Sequence, residues 1–261
     1  MESGKLHTNM RKPKISYSAL DTYNNCGHLY YLKYIRHIKP YIPIRYALVT
    51  GVAFHALINK MYHSAQFSKE FLIRNWKPTF FQALEEEGSA FSSTHDSGRY
   101  LNYGYGLIHK FFDFAEINGY LIKPIATEWP FTIALEDFNV IGIVDLIIKP
   151  STRTEIIDFK TGWKLPNMKD VEDSKQLTLY DWAVKNKLKI ENPTVGLFFP
   201  RKSIIIHSVR TETDHNKVLS ELSEVNQKIA KKVFEPNLSN CKKCDFHRYC
   251  KFFKGADNGT K

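Results

Sequence analysis

Between residues 139 and 160 the chain reads Asn-Val-Ile-Gly-Ile-Val-Asp-Leu-Ile-Ile-Lys and then, beyond Pro-Ser-Thr-Arg, Thr-Glu-Ile-Ile-Asp-Phe-Lys. Both stretches are rich in Ile, Val, Thr and Phe and are bounded by turn residues, so both are predicted strands. Each carries an aspartate, Asp145 and Asp158, among Ile141, Ile143, Val144, Leu146, Ile147, Ile156 and Ile157. A carboxylate in such a strand is expensive unless it is paired or bound to a metal. The chain therefore has to build a sheet that gives these acids a partner.

Hairpin geometry suggests which partner. A two-residue turn at Glu136-Asp137 sets Leu135 against Phe138, and Glu128 then lies opposite Asp145. A four-residue loop from Pro150 to Arg153 sets Lys149 against Thr154, and Asp145 then lies opposite Asp158. Three carboxylates would stand in one row, with Cβ atoms about 4.5–5.5 Å apart, where like charges destabilise. Mg²⁺ or Mn²⁺ prefers carboxylate oxygen and would relieve that repulsion. Lys160 lies two residues beyond Asp158 and projects from the same strand face. A slip of one residue would move a carboxylate to the other face. Taken alone, Asp-x-Lys is also a common accident, each acid being a surface group or the partner of a nearby lysine.

Around these strands the pattern is mixed. An aromatic-rich helix is expected over Ser16 to Ile35, with further helices over Leu48–Tyr62, Ser68–Leu84 and Arg99–Asn118 and a loop over Glu85–Gly98. Strands follow at Ile125–Ala134, Asn139–Lys149 and Thr154–Lys160, then a helix over Val171–Asn186. Two more strands, Thr194–Pro200 and Ser203–Arg210, flank an Arg201-Lys202 turn, and a last helix fits Glu212–Val233. The sum is an α/β domain with a central mixed sheet flanked by helices. A chain of 261 residues suits one domain, with a helical part over about 15–120, a core over about 121–235 and a terminal segment over 236–255.

Charge is uneven. Residues 1–40 hold seven Lys/Arg against two acids and residues 226–261 nine against three, whereas the middle is balanced at 21 against 22. All the excess of the net +10 sits at the two ends. Such ends suit a polyanion, because Lys/Arg displace counterions from phosphates, although a solvated tail has the same composition. No run of 18 apolar residues is present, so no membrane span is expected. Met1 to Lys14 has neither the apolar stretch of a secretory signal nor the Arg and Ser of a transit peptide, and a reducing, cytoplasmic compartment is expected.

The four cysteines are Cys26, Cys241, Cys244 and Cys250, the last three spaced Cys-x2-Cys-x5-Cys. Four thiolates suit structural zinc or a [4Fe–4S] cluster. Disulfides are not expected in a reducing compartment.

The run Gly142-Ile-Val-Asp145 followed by Ile156-Ile-Asp158-Phe-Lys160-Thr-Gly162 resembles the core of the PD-(D/E)XK nucleases in their RecB-like branch, with a restriction-endonuclease-like fold. Gly51-Val-Ala-Phe-His55 resembles that branch's helical histidine motif, Gln176-Leu-Thr-Leu-Tyr180 its Gln-x-x-x-Tyr helix, and Ile15-Ser-Tyr-Ser-Ala-Leu its N-terminal opening. One early and three late cysteines match the iron–sulfur members, the AddB-type subunits and the CRISPR-associated exonucleases, although Gly27 stands where they commonly have Pro. The resemblance implies that His55, Asp145, Asp158 and the backbone carbonyl of Phe159 bind Mg²⁺ or Mn²⁺, with Glu128 as a further group near the metal. Lys160 would orient the attacking water, and Gln176 and Tyr180, on one helix face, would contact the DNA strand or Lys160. Cys26, Cys241, Cys244 and Cys250 would hold a [4Fe–4S] cluster, with structural zinc as the alternative.

A cluster joining Cys26 to Cys241 would close a segment of 215 residues, a closure term of about 5 kcal/mol, and would merge the two basic ends. There Lys242, Lys243, Arg248, Lys251 and Lys254 interleave with Phe246, Tyr249, Phe252 and Phe253, a composition suited to single strands. The expectation is a DNA exonuclease that prefers single-stranded ends, working in recombination, repair or processing with a helicase or recombination protein as a partner. The alternative is a non-catalytic iron–sulfur DNA-binding subunit that recruits a helicase or integrase.

Overall fold

The computed structural model describes residues 12–40, 45–87, 94–163 and 167–253. It begins with a short strand, β1 (Lys14–Ser16), and a helix, α1 (Tyr17–Asn25), capped by the Ser16 hydroxyl, which accepts from the Ala19 N–H at 3.2 Å. Cys26 then leaves the helical region at φ −168°, ψ 113°, and α2 (Gly27–Tyr30) and a π-turn (Tyr31–Ile35) follow. The expected single helix over Ser16–Ile35 is thus cut at Cys26, whose sulfur caps α2 by accepting from the Leu29 N–H at 3.4 Å. The aromatic pattern runs unbroken through this point, so periodicity carries no sign of the break.

Three long helices come next: α3 (Tyr46–Ser64), α4 (Lys69–Glu86) and α5 (Thr94–Ile117). The loop expected over Glu85–Gly98 is shorter at both ends, and residues 88–93 lie outside the described ones. Strands β2 (Ala126–Ala134), β3 (Asn139–Ile148) and β4 (Glu155–Phe159) follow, then α6 (Met168–Glu172) and α7 (Lys175–Leu188). The helix expected over Val171–Asn186 is therefore two, because the Ser174 hydroxyl starts a new one by accepting from the Leu177 N–H. Strands β5 (Thr194–Phe199) and β6 (Ile204–Ser208) are joined by four residues, Pro200 to Ser203, rather than by Arg201-Lys202 alone. The last helix, α8 (Glu212–Ala230), opens with a capping box between Thr211 and Asp214.

The six strands form one mixed sheet in the order β1-β3-β4-β5-β6, with β2 on β3. β2 runs antiparallel along β3, so β1 and β4 must share β3's other edge. β1 pairs in parallel at residues 139–141 of β3 and β4 antiparallel at 146–148. Residues 142–145 of β3 therefore have an edge with neither neighbour. That edge carries the Gly142-to-Asp145 run.

Helices cover both faces. Leu146, Ile148, Ile157, Phe159 and Phe198 pack on one side with the cores of α3, α4 and α5, including the fully buried Phe54, Trp76 and Phe80. Val140, Val144, Ile147, Ile156 and Leu197 pack on the other with α1, α7 and α8. This is an α/β fold with a mixed central sheet, in agreement with the restriction-endonuclease-like expectation. Among the described residues no helix is long and apolar enough to cross a membrane.

Candidate active site

The register expected from turn lengths is present. Thr127 faces Leu146 and Trp129 faces Val144, while Leu146 faces Ile157 and Ile147 faces Ile156. At the carboxylates themselves the ladder lapses. Glu128 adopts φ 44°, a conformation that costs a non-glycine residue about 1–3 kcal/mol, and is skipped in the pairing opposite Asp145. Across the same point β3 changes which face points where: Val144 enters the core beneath α7 and α8, and Leu146 the core beneath α3–α5. The acids sit at this irregularity, where backbone strain aims them into one space.

Within it, α3 supplies His55. Its Nδ1 lies 3.5 Å from Asp145 Oδ2 and 3.7 Å from Glu128 Oε1, and its Nε2 lies 3.1 Å from the Phe159 carbonyl oxygen. Asp145 Oδ2 accepts from the Phe159 N–H at 2.8 Å, which fixes the start of the edge beyond β4. Gly51 explains how α3 comes so close: one turn before His55, a Cβ there would meet the Thr161 Oγ1 at 2.7 Å. A larger residue there would require the Thr161 hydroxyl to move.

On the other side, Asp158 is 2% exposed and its Oδ2 lies 2.7 Å from Lys160 Nζ, an ion pair without hydrogen-bond alignment. Lys160 Nζ donates to Gln176 Oε1 at 3.0 Å, and Gln176 Nε2 donates to the Tyr180 hydroxyl at 2.8 Å. These two α7 residues, four apart on one helix face, hold the ammonium against the strand. Lys160 is one of the two partners expected of Gln176, and the two are in contact.

The electrostatics follow from crowding. Burial and then the neighbouring Asp145 push the Asp158 carboxyl up to about 6, against the pull of Lys160. Burial works against a charged His55, but Asp145 and Glu128 outweigh it and raise its imidazole to about 10. Burial also works against the Lys160 ammonium, and Asp158 more than restores it above the ordinary lysine value. The Tyr180 phenol is raised by burial and then by Asp158 and Asp145, so it stays protonated.

The donor set fits a divalent cation. Single ligand atoms of His55, Glu128 and Asp145 all lie within 4.8 Å of one another. Asp158 adds a buried carboxylate oxygen with no hydrogen bond, and Phe159 a carbonyl. Glu128, an uncertain outer group at the sequence level, lies inside this cluster. Tyr17 and Thr161 fall inside sequence motifs that give neither of them a role. Tyr17 lies close enough to Lys160 and Asp158 for their charges to act on its phenol, which burial and then Asp21 raise, and Thr161 is the neighbour that requires Gly51.

Far along the chain but close in space, all four cysteines line one cavity of about 360 Å³, together with Leu29, Leu32 and Phe246. The ends meet through specific contacts. Cys26 Sγ accepts from the Asn237 N–H at 3.3 Å, Asn237 Nδ2 donates to the Asn25 carbonyl at 3.0 Å, and the Tyr23 hydroxyl donates to the Val233 carbonyl at 2.5 Å. Phe234 stacks on Tyr30 with ring centroids 6.2 Å apart, and Phe252 meets His28 edge-on at 4.8 Å. Gly27 has a physical reason here, since a Cβ would sit 3.0 Å from the backbone of Glu235. Lys254, expected in the basic terminal segment, lies outside the described residues.

No curated protein matches the chain. A solved structure from Eubacterium rectale, named a "putative exonuclease", superposes with a TM-score of 0.55 at 12% identity, over 95% of this chain and 93% of that one. The structure of SSO0001 gives a TM-score of 0.36 at 14% identity, over 90% and 94%. The former likeness shows the fold. The model of the PD-(D/E)XK nuclease superfamily matches residues 14–251, which contain His55, Glu128, Asp145, Asp158, Lys160, Gln176, Tyr180 and all four cysteines. The chain belongs to the PD-(D/E)XK nuclease superfamily.

Proposed function

We propose that this nuclease is a Mg²⁺- or Mn²⁺-dependent DNA exonuclease that hydrolyses phosphodiester bonds at single-stranded ends, in recombination, repair or processing. The observation that carries the reading is the unbroken series of contacts from His55 through Asp145, Phe159, Asp158 and Lys160 to Gln176 and Tyr180. His55, Glu128, Asp145, Asp158 and the Phe159 carbonyl would hold the cation. When bound, it would polarise the phosphoryl oxygen and acidify the attacking water.

The chain's own groups do the remaining work. Lys160 keeps its charge because Asp158 faces it, and its side chain is 40% exposed, so the ammonium can meet a phosphate entering from solvent. There it offsets the charge that grows on the phosphoryl oxygens in the transition state. Gln176 and Tyr180 hold Lys160 in place, so that little reorganisation is needed when the substrate arrives. His55 must give up its Nδ1 or Nε2 proton to serve as a ligand, and the cation's charge favours that loss.

Cys26, Cys241, Cys244 and Cys250 would hold a [4Fe–4S] cluster. All four sulfurs line one cavity of about 360 Å³, so a single group could take all of them as ligands, with structural zinc as the alternative occupant. The joined ends also bring Lys33, Lys243 and Lys251 to one region, which supports a polyanion surface.

The test is cleavage of end-labelled linear and closed circular single strands in Mg²⁺, Mn²⁺ or EDTA. Metal-dependent release of nucleotides from linear strands alone is expected. Equal cleavage of circles would overturn the exonuclease reading, and no metal-dependent cleavage of any end would overturn the DNA-nuclease reading.

A further inference from the structure

Immediately beyond the catalytic edge, an indole stands more than half exposed and is contacted by side chains from two other segments. Trp163 follows Gly162 and is 56% exposed. Tyr103, from α5, stacks on it with centroids 5.2 Å apart and planes 14° from parallel, and its hydroxyl donates to the Thr161 carbonyl at 3.4 Å. Arg201, from the β5–β6 turn, sets its guanidinium carbon 4.3 Å from the indole centroid, and its Nη1 donates to the Trp163 carbonyl at 3.4 Å. That turn is tied down in its own right. Lys110 Nζ on α5 donates to the Arg201 carbonyl at 2.7 Å, and the Ser203 hydroxyl donates to the Lys110 carbonyl at 3.3 Å.

Three segments distant in sequence thus cooperate to hold a large apolar side chain where it buries little. The fold gains little from such an arrangement, whereas a ligand with a flat π-face and a negative charge gains much. An aromatic ring and a guanidinium plane are both surfaces on which an unpaired base stacks, and the guanidinium can also meet a phosphate. The position matches. Trp163 is three residues past Lys160, so at most about 10 Å of chain separates them. Lys160, Thr161, Gly162 and Trp163 line one cleft of about 460 Å³, and Thr161 and Gly162 also line the adjoining cleft of His55 and Glu128.

We propose that Tyr103, Trp163 and Arg201 form a stacking platform for one unpaired nucleobase of the substrate strand, within a few nucleotides of the scissile phosphate. This rests on the nuclease reading and deepens it by naming a source of single-strand preference: a base inside a duplex is already paired and stacked and does not reach the platform. Because every base has a π-face, the platform selects for an unpaired base without selecting its identity.

The test is a coupling cycle between Trp163 and a base. Wild type, Trp163→Ala and Trp163→Phe are assayed on single strands carrying one abasic residue at successive positions from the end. In wild type, one abasic position should lower kcat/KM by about tenfold, the typical worth of one stacked base. Trp163→Ala should lose about as much on the intact strand and nothing further at that position, and Trp163→Phe should recover most of it. Quenching of tryptophan fluorescence by oligothymidylate in EDTA is the second readout, and it should disappear in Trp163→Phe. An unchanged KM in Trp163→Ala, or a loss that is the same on abasic strands at every position, overturns the platform. Absence of cleavage by wild type with Trp163-dependent quenching intact would instead count against the nuclease reading and leave the platform standing.

Discussion

The two chemically loaded regions are built in opposite ways. The carboxylate centre is local. Asp145, Asp158 and Lys160 lie on or next to one hairpin, the Phe159 N–H holds the Asp145 carboxylate, and Asp158 is 2% exposed. The cysteine cavity is non-local. Cys26 caps a four-residue helix, Cys241 lies in a short 3₁₀ turn while Cys244 and Cys250 each follow one, and the two parts meet through aromatic rings and a few hydrogen bonds. A centre held by a sheet can be preorganised before anything binds, whereas one made by joining two chain ends gains order from what it binds.

The largest expected effect separates chemistry from binding. Lys160→Ala should lower kcat by about 10²-fold or more while leaving DNA affinity nearly unchanged, since the missing charge acts mainly in the transition state. Single-turnover cleavage and binding in EDTA would measure the two. Loss of affinity equal to the loss of rate would make Lys160 a DNA anchor instead.

At the other region the expected effect is on cofactor and stability. Anaerobically purified wild type should be brown, with broad absorbance near about 400 nm, as thiolate-ligated iron gives. Cys244→Ser should lose the colour and lower Tm, yet keep its sheet, because Phe234 and Asn237 still join the ends. Colourless wild type with stoichiometric zinc would overturn the iron–sulfur reading.

A third, smaller effect is a pH dependence at the buried acid. In the metal-free fold Asp158 titrates at about 6 rather than its ordinary 3.8. A raised carboxyl stabilises the fold fully below the ordinary value, and that contribution is lost as pH rises through the folded value. Metal-free wild type should therefore lose Tm between pH 4 and about 6 relative to Asp158→Asn. Parallel curves for the two proteins would mean that Asp158 is not under strain.

The smallest effect tests whether the joined ends touch DNA. Neutralising Lys251 and Lys254 together should flatten the log–log salt dependence of single-strand binding by about 0.7 for each phosphate no longer neutralised. An unchanged slope would leave these lysines solvated.

The strands around Asp145 and Asp158 were legible because β-branched runs and turn lengths are local properties, and turn length sets register. The same local properties put Asp145, Asp158 and Lys160 on one face, whereas Gln176 and Tyr180 were singled out by the resemblance to the nuclease motifs. What the sequence could not state was the lapse at Glu128, where φ is positive and the pairing with β3 is skipped, or that β1 pairs in parallel with Asn139–Ile141, a contact across more than 120 residues. The break at Cys26 was hidden because aromatic periodicity continues across it.

By itself the sequence determined the hairpin, its carboxylates and the grouping of cysteines at the ends, all of which follow from neighbours within a few residues. Only the tertiary structure decided that Glu128 comes within reach of His55, that four thiols line one cavity and that Trp163 meets both Tyr103 and Arg201. Each of these depends on helix packing, and packing is set by the summed burial of the two cores on either side of the sheet rather than by any one segment.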